Sequence, residues 1–226
     1  NLFESNNSDS FKAFVRDLTD ELHIELGFEV KKDEELEIKE VRDTINKLRA
    51  KNLDDDDFIK KFSDIFKENK MESIPEGTFF SSILFISALD ETNKIETFLE
   101  KFENAESPQM QGRYRAVLGQ VKDQNASKKV VEFMLDGRIR GADCPYILAS
   151  MITNKYIGKK SWKVIKENFN DLLSVMPDWT ASRILDALPA IYDKEFADDI
   201  KSFIKKNPLP SSEKLAAQKL ERLEAN

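Results

Sequence analysis

Apolar side chains in this chain recur at intervals of three and four residues, in segment after segment. Nowhere does a Val, Ile or Thr alternation survive long enough to make a strand. Such spacing places the apolar groups on one face of a helix, whereas a half-buried strand needs a period of two. Phe11, Phe14, Val15, Leu18 and Leu22 predict a helix over about 8–25 with these side chains inward, stopped by Gly27. A charged helix follows over about 33–51, with Leu36, Val41, Ile45 and Leu48 inward, and Asp54 to Asp57 open a third that carries Phe58, Phe62, Ile65 and Phe66.

The pattern breaks at Pro75 and Gly77 and then resumes. Phe80, Ile83, Leu84 and Leu89 mark a fourth helix, and Ile95, Phe98, Leu99 and Phe102 a fifth. Ser107-Pro108 reads as an N-cap with proline at the first helical position, ahead of inward Tyr114, Val117, Leu118 and Val121. Val130, Val131, Phe133 and Met134 lie on a helix that stops at Gly137, and Asp143-Cys144-Pro145 starts one with Ile147, Leu148, Met151 and Ile152. Trp162, Ile165, Phe169, Leu172 and Leu173 predict a single further helix, and Thr180 caps one bearing Ile184, Leu185 and Leu188. Phe196, Ile200, Phe203 and Ile204 stripe the next, ended by Pro208 and Pro210, and Leu215, Leu220 and Leu223 stripe the last.

Short helices joined by short links bury their faces by stacking. The expected fold is therefore all-α, an irregular HEAT- or armadillo-like array of antiparallel helices. No strict sequence period is visible. Only 7 Gly and 7 Pro interrupt 226 residues, and 16 Phe suffice to fill a helix-packed core. Ser73 to Gly77 is the best internal break but is too short for a linker, so residues 1–226 are read as one domain. The chain begins at Asn1 rather than Met and is expected to be a piece of a longer polypeptide.

Charge narrows the function. A formal net charge of −7 argues against a general nucleic-acid surface, which needs clustered positive charge. No apolar run approaches the roughly 20 residues that span a bilayer. One cysteine, Cys144, precludes an internal disulfide framework and suits a reducing, cytoplasmic setting. One histidine, His23, cannot assemble a zinc set alone.

Four stretches stand out in order: Phe14-Val15-Arg16 through Leu26-Gly27-Phe28; Glu106-Ser107-Pro108 followed by Tyr114 to Leu118; the turn Asp136 to Asp143; and the ending from Asn207-Pro208 to Asn226. Taken together they resemble the C-terminal helical domain of M1-family zinc aminopeptidases, of the aminopeptidase N and puromycin-sensitive type. The resemblance covers nearly the whole chain, and the family's domain normally begins some helices before Asn1. It implies a non-catalytic bowl that closes over the active-site cavity and governs which peptides reach the metal, and for what length. The implied partners are the catalytic domain of the same polypeptide and peptide substrates. The implied cofactor is zinc in the parent enzyme and none in these residues. The family's HExxH helix with its distant Glu, its loop for the substrate N-terminus and its catalytic tyrosine have no counterpart here. The alternative is a free-standing helical-repeat scaffold holding a peptide or partner helix in its groove. Catalysis by the chain's own carboxylates is disfavoured, because none forms an isolated pair in apolar surroundings.

Candidate cavity-facing residues are Arg138, Arg140 and Asp143, in the turn that resembles the family's Gly-x-Val-Arg-x-x-Asp, and Arg183 in Ser182-Arg183-Ile184-Leu185. Their other role is structural: an Arg–Asp pair with Asp143 capping the next helix, and a salt bridge at Arg183. Asp54 to Asp57 lack the alternation, glycine and closing glutamate of a calcium loop and suit a helix start. Lys155, Lys159, Lys160, Lys163 and Lys166 make a basic patch, read as a solvated helix edge. Trp162 and Trp179 are read as core or groove-lining anchors. Cys144 is read as a buried, inert thiol.

Overall fold

A computed structural model describes residues 5–31, 33–68, 78–191, 193–209 and 218. Among these residues there are twelve α-helices, one 3₁₀ helix and no strand. In order they are α1 (Ser5–Leu26), α2 (Leu36–Leu53), α3 (Asp56–Lys67), α4 (Thr78–Ser87), α5 (Ile95–Glu103), α6 (Pro108–Val117), α7 (Ala126–Leu135), α8 (Cys144–Ile152), α9 (Gly158–Glu167), α10 (Phe169–Val175), α11 (Asp178–Ala181), the 3₁₀ helix (Ser182–Ala190) and α12 (Lys194–Lys206). The expected all-α array is present as packed helical pairs. The Ser73–Gly77 break, Pro210 and the terminal Leu215–Leu220–Leu223 stripe lie outside the described residues.

The chain packs as two compact units, Asn1–Asn93 and Lys94–Asn226. In the first, α1 and α2 run antiparallel. Lys12 near the start of α1 pairs with Asp54 just past α2 at 2.9 Å, while Arg42 near the start of α2 donates to the Leu26 carbonyl at the end of α1 at 3.2 Å. Arg42 also holds Glu34, and Arg49 reaches from α2 to Thr19 and Asp20. Phe62 is wholly buried and meets Phe28, Phe58 and Phe79 edge-on, with centroids 5.7, 5.2 and 6.2 Å away. Asp55 caps α3 by accepting the Phe58 N–H at 2.9 Å, as expected for an acidic helix start.

The stripe expected to face inward on α1 does so only in part. Phe14, Leu18 and Leu22 are exposed, whereas Val15, Thr19 and Leu26 are buried. On α2, Leu36 and Val41 are likewise exposed, and Ile45 is buried. The apolar band on α1 is wider than the contact with α2 and α3, so one edge stays at the surface.

In the second unit the stripes and the core coincide. Ile95, Phe98, Leu99, Phe102, Val130, Met134, Leu148, Ile165 and Leu185 are buried. Trp162 meets Phe203 edge-on at 5.3 Å and donates its ring N–H to Asp199 at 2.8 Å. The run from Trp162 to Leu173 is two helices rather than one. Asn168 stands between them with φ −115° and ψ 18°, and its side-chain amide donates to the Val164 carbonyl at 2.8 Å. That local bond competes with continuation of the helix. Thr180 does not cap the segment after it. Its hydroxyl donates to the Pro177 carbonyl at 2.9 Å, inside the turn of α11.

A loose repeat emerges from the loops. Asp90, Asp123 and Asn154 each accept the N–H two residues on, from Thr92 at 2.9 Å, Asn125 at 3.1 Å and Tyr156 at 3.0 Å. Each is thus an Asx turn that opens the link into the next helix. Each also reaches back. Asp90 accepts from Ser63, Asp123 accepts the Ile95 N–H at 3.1 Å, and Asn154 donates to the Gly119 carbonyl at 3.1 Å. The three turns fall about thirty residues apart, the spacing of a two-helix stacking unit.

Candidate functional site

The α7–α8 turn, Asp136 to Asp143, gathers three of the four candidate residues. Gly137 takes φ +73°, a left-handed conformation that other residues adopt at a cost. The N–H groups of Arg138 and Ile139 then both close on the Phe133 carbonyl, at 3.0 and 3.2 Å. Ile139 is buried, and the flanking Arg138 and Arg140 are thereby left at the surface.

Arg138 is engaged within the protein. It grips Glu103 on α5 through Nε and Nη2, a two-pronged contact, and its guanidinium lies 3.4 Å from the centroid of the Phe133 ring. The hydrogen bond from Arg138 holds the Glu103 carboxyl below its ordinary range. A guanidinium fixed on both its edge and its face helps to position the turn.

Asp143 occupies the N-cap position of α8 without capping it. Its backbone is helical, φ −90° and ψ −24°, and its side chain makes no cap bond. A capping side chain needs the extended conformation to reach the helix N–H groups. The carboxylate instead accepts from Arg115 of α6 at 2.6 Å and from Arg140 Nε at 2.9 Å. The expected Arg–Asp pair is present and the expected cap is not. Arg140 remains 77% exposed, so most of its guanidinium faces solvent.

Gly141 sets what lies beside this turn. A Cβ there would fall 2.0 Å from the Val175 carbonyl oxygen and 3.4 Å from Pro177 Cδ. Only a glycine lets the turn approach the α10–α11 junction so closely. Two residues beyond Pro177, Trp179 is 73% exposed. Arg183 follows on the 3₁₀ helix that packs on α8, with Nη1 3.6 Å from Asp186 and half its side chain exposed. On α8 itself, Tyr146 is 52% exposed. The α7–α8 turn, α8, α11 and the 3₁₀ helix thus carry two exposed guanidinium groups and two exposed aromatic rings.

Sequence reasoning overlooked Tyr146. The signal was faint: an aromatic in the first turn of α8, one position off its buried Ile147–Leu148 face. The two tryptophans were read alike, yet Trp162 is 1% exposed and Trp179 is 73%. Two of the five lysines of the basic patch pair with carboxylates, and a third lies against a ring. Lys159 pairs with Asp193, Lys166 with Asp199 at 2.7 Å, and Lys155 lies 4.8 Å from the Tyr156 ring.

The one thiol near the α7–α8 turn is unreactive. Cys144 is buried, and burial with the neighbouring Asp143 charge pushes its thiol up to about 12. Such a thiol is not a nucleophile at neutral pH. His23 belongs to the other unit, with its ring edge-on to Phe58 at 5.4 Å. No group of three or more His, Cys, Asp or Glu side chains able to hold a metal occurs among the described residues. The described residues therefore do not fit a zinc ion.

The chain matches the ERAP1-like C-terminal domain family over residues 1–225. It belongs to that family. This ERAP1-like domain is accordingly the helical C-terminal domain of the M1 aminopeptidase type, a non-catalytic element. Membership extends through residues 50–80, where the sequence motifs had offered little. No helix among the described residues is long and apolar enough to cross a membrane.

Proposed function

We propose that this ERAP1-like domain encloses the active-site cavity of a zinc aminopeptidase and controls which peptides reach the metal, and how long they are. The catalytic domain of the same polypeptide supplies zinc and chemistry. Family membership over residues 1–225 carries this reading. The exposed side chains on the α7–α8 turn, α8, α11 and the 3₁₀ helix support it. Arg140 and Arg183 suit a peptide carboxylate, and Tyr146 and Trp179 suit its apolar side chains. Substrate contact remote from the reacting bond acts by positioning and by excluding water, so the domain raises catalysis without touching the scissile bond.

Two measurements test the reading. The purified domain with added zinc should not hydrolyse an aminoacyl-p-nitroanilide, and metal-dependent turnover would overturn it. The aminopeptidase carrying the domain should process peptides of graded length unequally, and Arg183→Ala with Trp179→Ala should flatten that dependence while sparing the short chromogenic substrate. An unchanged length profile would remove these side chains from the proposal. An unchanged profile after deletion of the whole domain would remove the domain's role.

A further inference from the structure

The only histidine in the chain, His23, sits where α1, α2 and α3 meet in the first unit. We propose that His23 makes the docking of α1 onto α3 sensitive to acid, loosening this contact as the pH falls through the ordinary histidine range. The inference is independent of any peptide-binding role.

The geometry carries it. The imidazole is half-buried and stands edge-on to Phe58 of α3, centroids 5.4 Å apart. Its Nδ1 is enclosed and has no hydrogen-bond partner among the described residues. In the neutral ring the proton can reside on Nε2, leaving Nδ1 as a bare acceptor. Protonation forces an N–H donor into a place that offers no acceptor, and a buried unsatisfied donor destabilises the packed state.

The charged groups facing the ring come from all three helices, and the carboxylates among them are already engaged. From α1, Asp20 is held by Arg49. From α2, Arg49 brings a positive charge, occupied by Thr19 and Asp20. At the start of α3, Asp55 is committed to the Phe58 N–H at 2.9 Å, and Lys61 adds a second cation. Burial first, and then Arg49, hold His23 below its ordinary pKa; Asp20 and Asp55 oppose this without overcoming it. The folded ring therefore binds its proton less readily than the unfolded one. Stability from this site is complete above about pH 6.5, the unfolded value, and is lost as the pH falls below it.

The test compares the full chain with His23→Phe by amide hydrogen exchange at about pH 7.5 and about pH 5.5, corrected for intrinsic exchange. Opening of α1 and α3 should increase roughly threefold or more in the native chain, relative to α7 and α9, and should stay flat in His23→Phe. An equal increase in the variant would overturn the proposal. The imidazole NMR titration of the native chain supplies a second readout that needs no variant. A midpoint below the ordinary histidine value, moved upward by Arg49→Gln, supports the proposal, and a midpoint at or above that value sinks it.

Discussion

In α5 the apolar residues Ile95, Phe98, Leu99 and Phe102 keep at most 4% of their surface, whereas in α1 Phe14, Leu18 and Leu22 keep 59, 57 and 41%. Both helices carry apolar residues at helical spacing. α5 is 9 residues long and packs on α6 and α7, so neighbours cover its whole stripe. α1 is 22 residues long, and its contacts fall along the line of Val15, Thr19 and Leu26. Thr19 can be buried there because its hydroxyl donates to the Val15 carbonyl at 2.6 Å and accepts from Arg49 at 2.9 Å. Amphipathic spacing thus identifies a helix, while its width alone does not say how much of the stripe neighbours will cover.

Substitutions can break or sharpen this contrast. The largest effect belongs to Phe98→Ala in α5, where loss of a fully buried ring should cost about 3–5 kcal/mol in a urea titration. A loss below about 1 kcal/mol would mean that the α5 core is not packed as described. Gly141→Ala should follow, at about 2 kcal/mol, because the new methyl meets backbone rather than a movable side chain. Its thermal midpoint measures this, and near-native stability would show that the seam at Val175 can open.

Acid provides a further handle in the first unit. Burial opposes the charge on Asp90, but hydrogen bonds from Ser63, Thr92 and Lys67 outweigh it and hold the carboxyl at about 2. Its contribution is present above the ordinary aspartate range near pH 3.9 and is lost as the pH falls towards about 2. Asp90→Asn should therefore narrow the stability difference between neutral and acid solution, as read from urea titrations at the two pH values. Asp55→Ala, which removes the α3 cap, should cost about 1 kcal/mol. Leu18→Gln, on the exposed edge of α1, should change stability by less than about 0.5 kcal/mol. A cost comparable to that of Phe98→Ala would show that this edge is covered in solution.

Much of the candidate site was legible in the sequence, but not its arrangement. The Asp136–Asp143 turn pointed to Arg138, Arg140 and Asp143 through its resemblance to the family's Gly-x-Val-Arg-x-x-Asp. The same pattern could not distinguish Arg138, tied to Glu103 on another helix, from Arg140, left in solvent. Nor could it reveal that Asp143 gives up its capping role for Arg115, a residue 28 positions away in the chain. The Asx turns at Asp90, Asp123 and Asn154 escaped notice because a loop repeat rests on single residues, whereas helix stripes are reinforced every turn.

Local spacing by itself determined that the chain is helical and where most helices start and stop. Those properties depend on backbone hydrogen bonds and side-chain periodicity within a few residues. Only the tertiary structure decided that Trp162 is core and Trp179 surface, and which arginine stays exposed. Each of these depends on a partner supplied by a distant segment or on backbone angles set by packing, and neither is encoded in the spacing of the residues concerned.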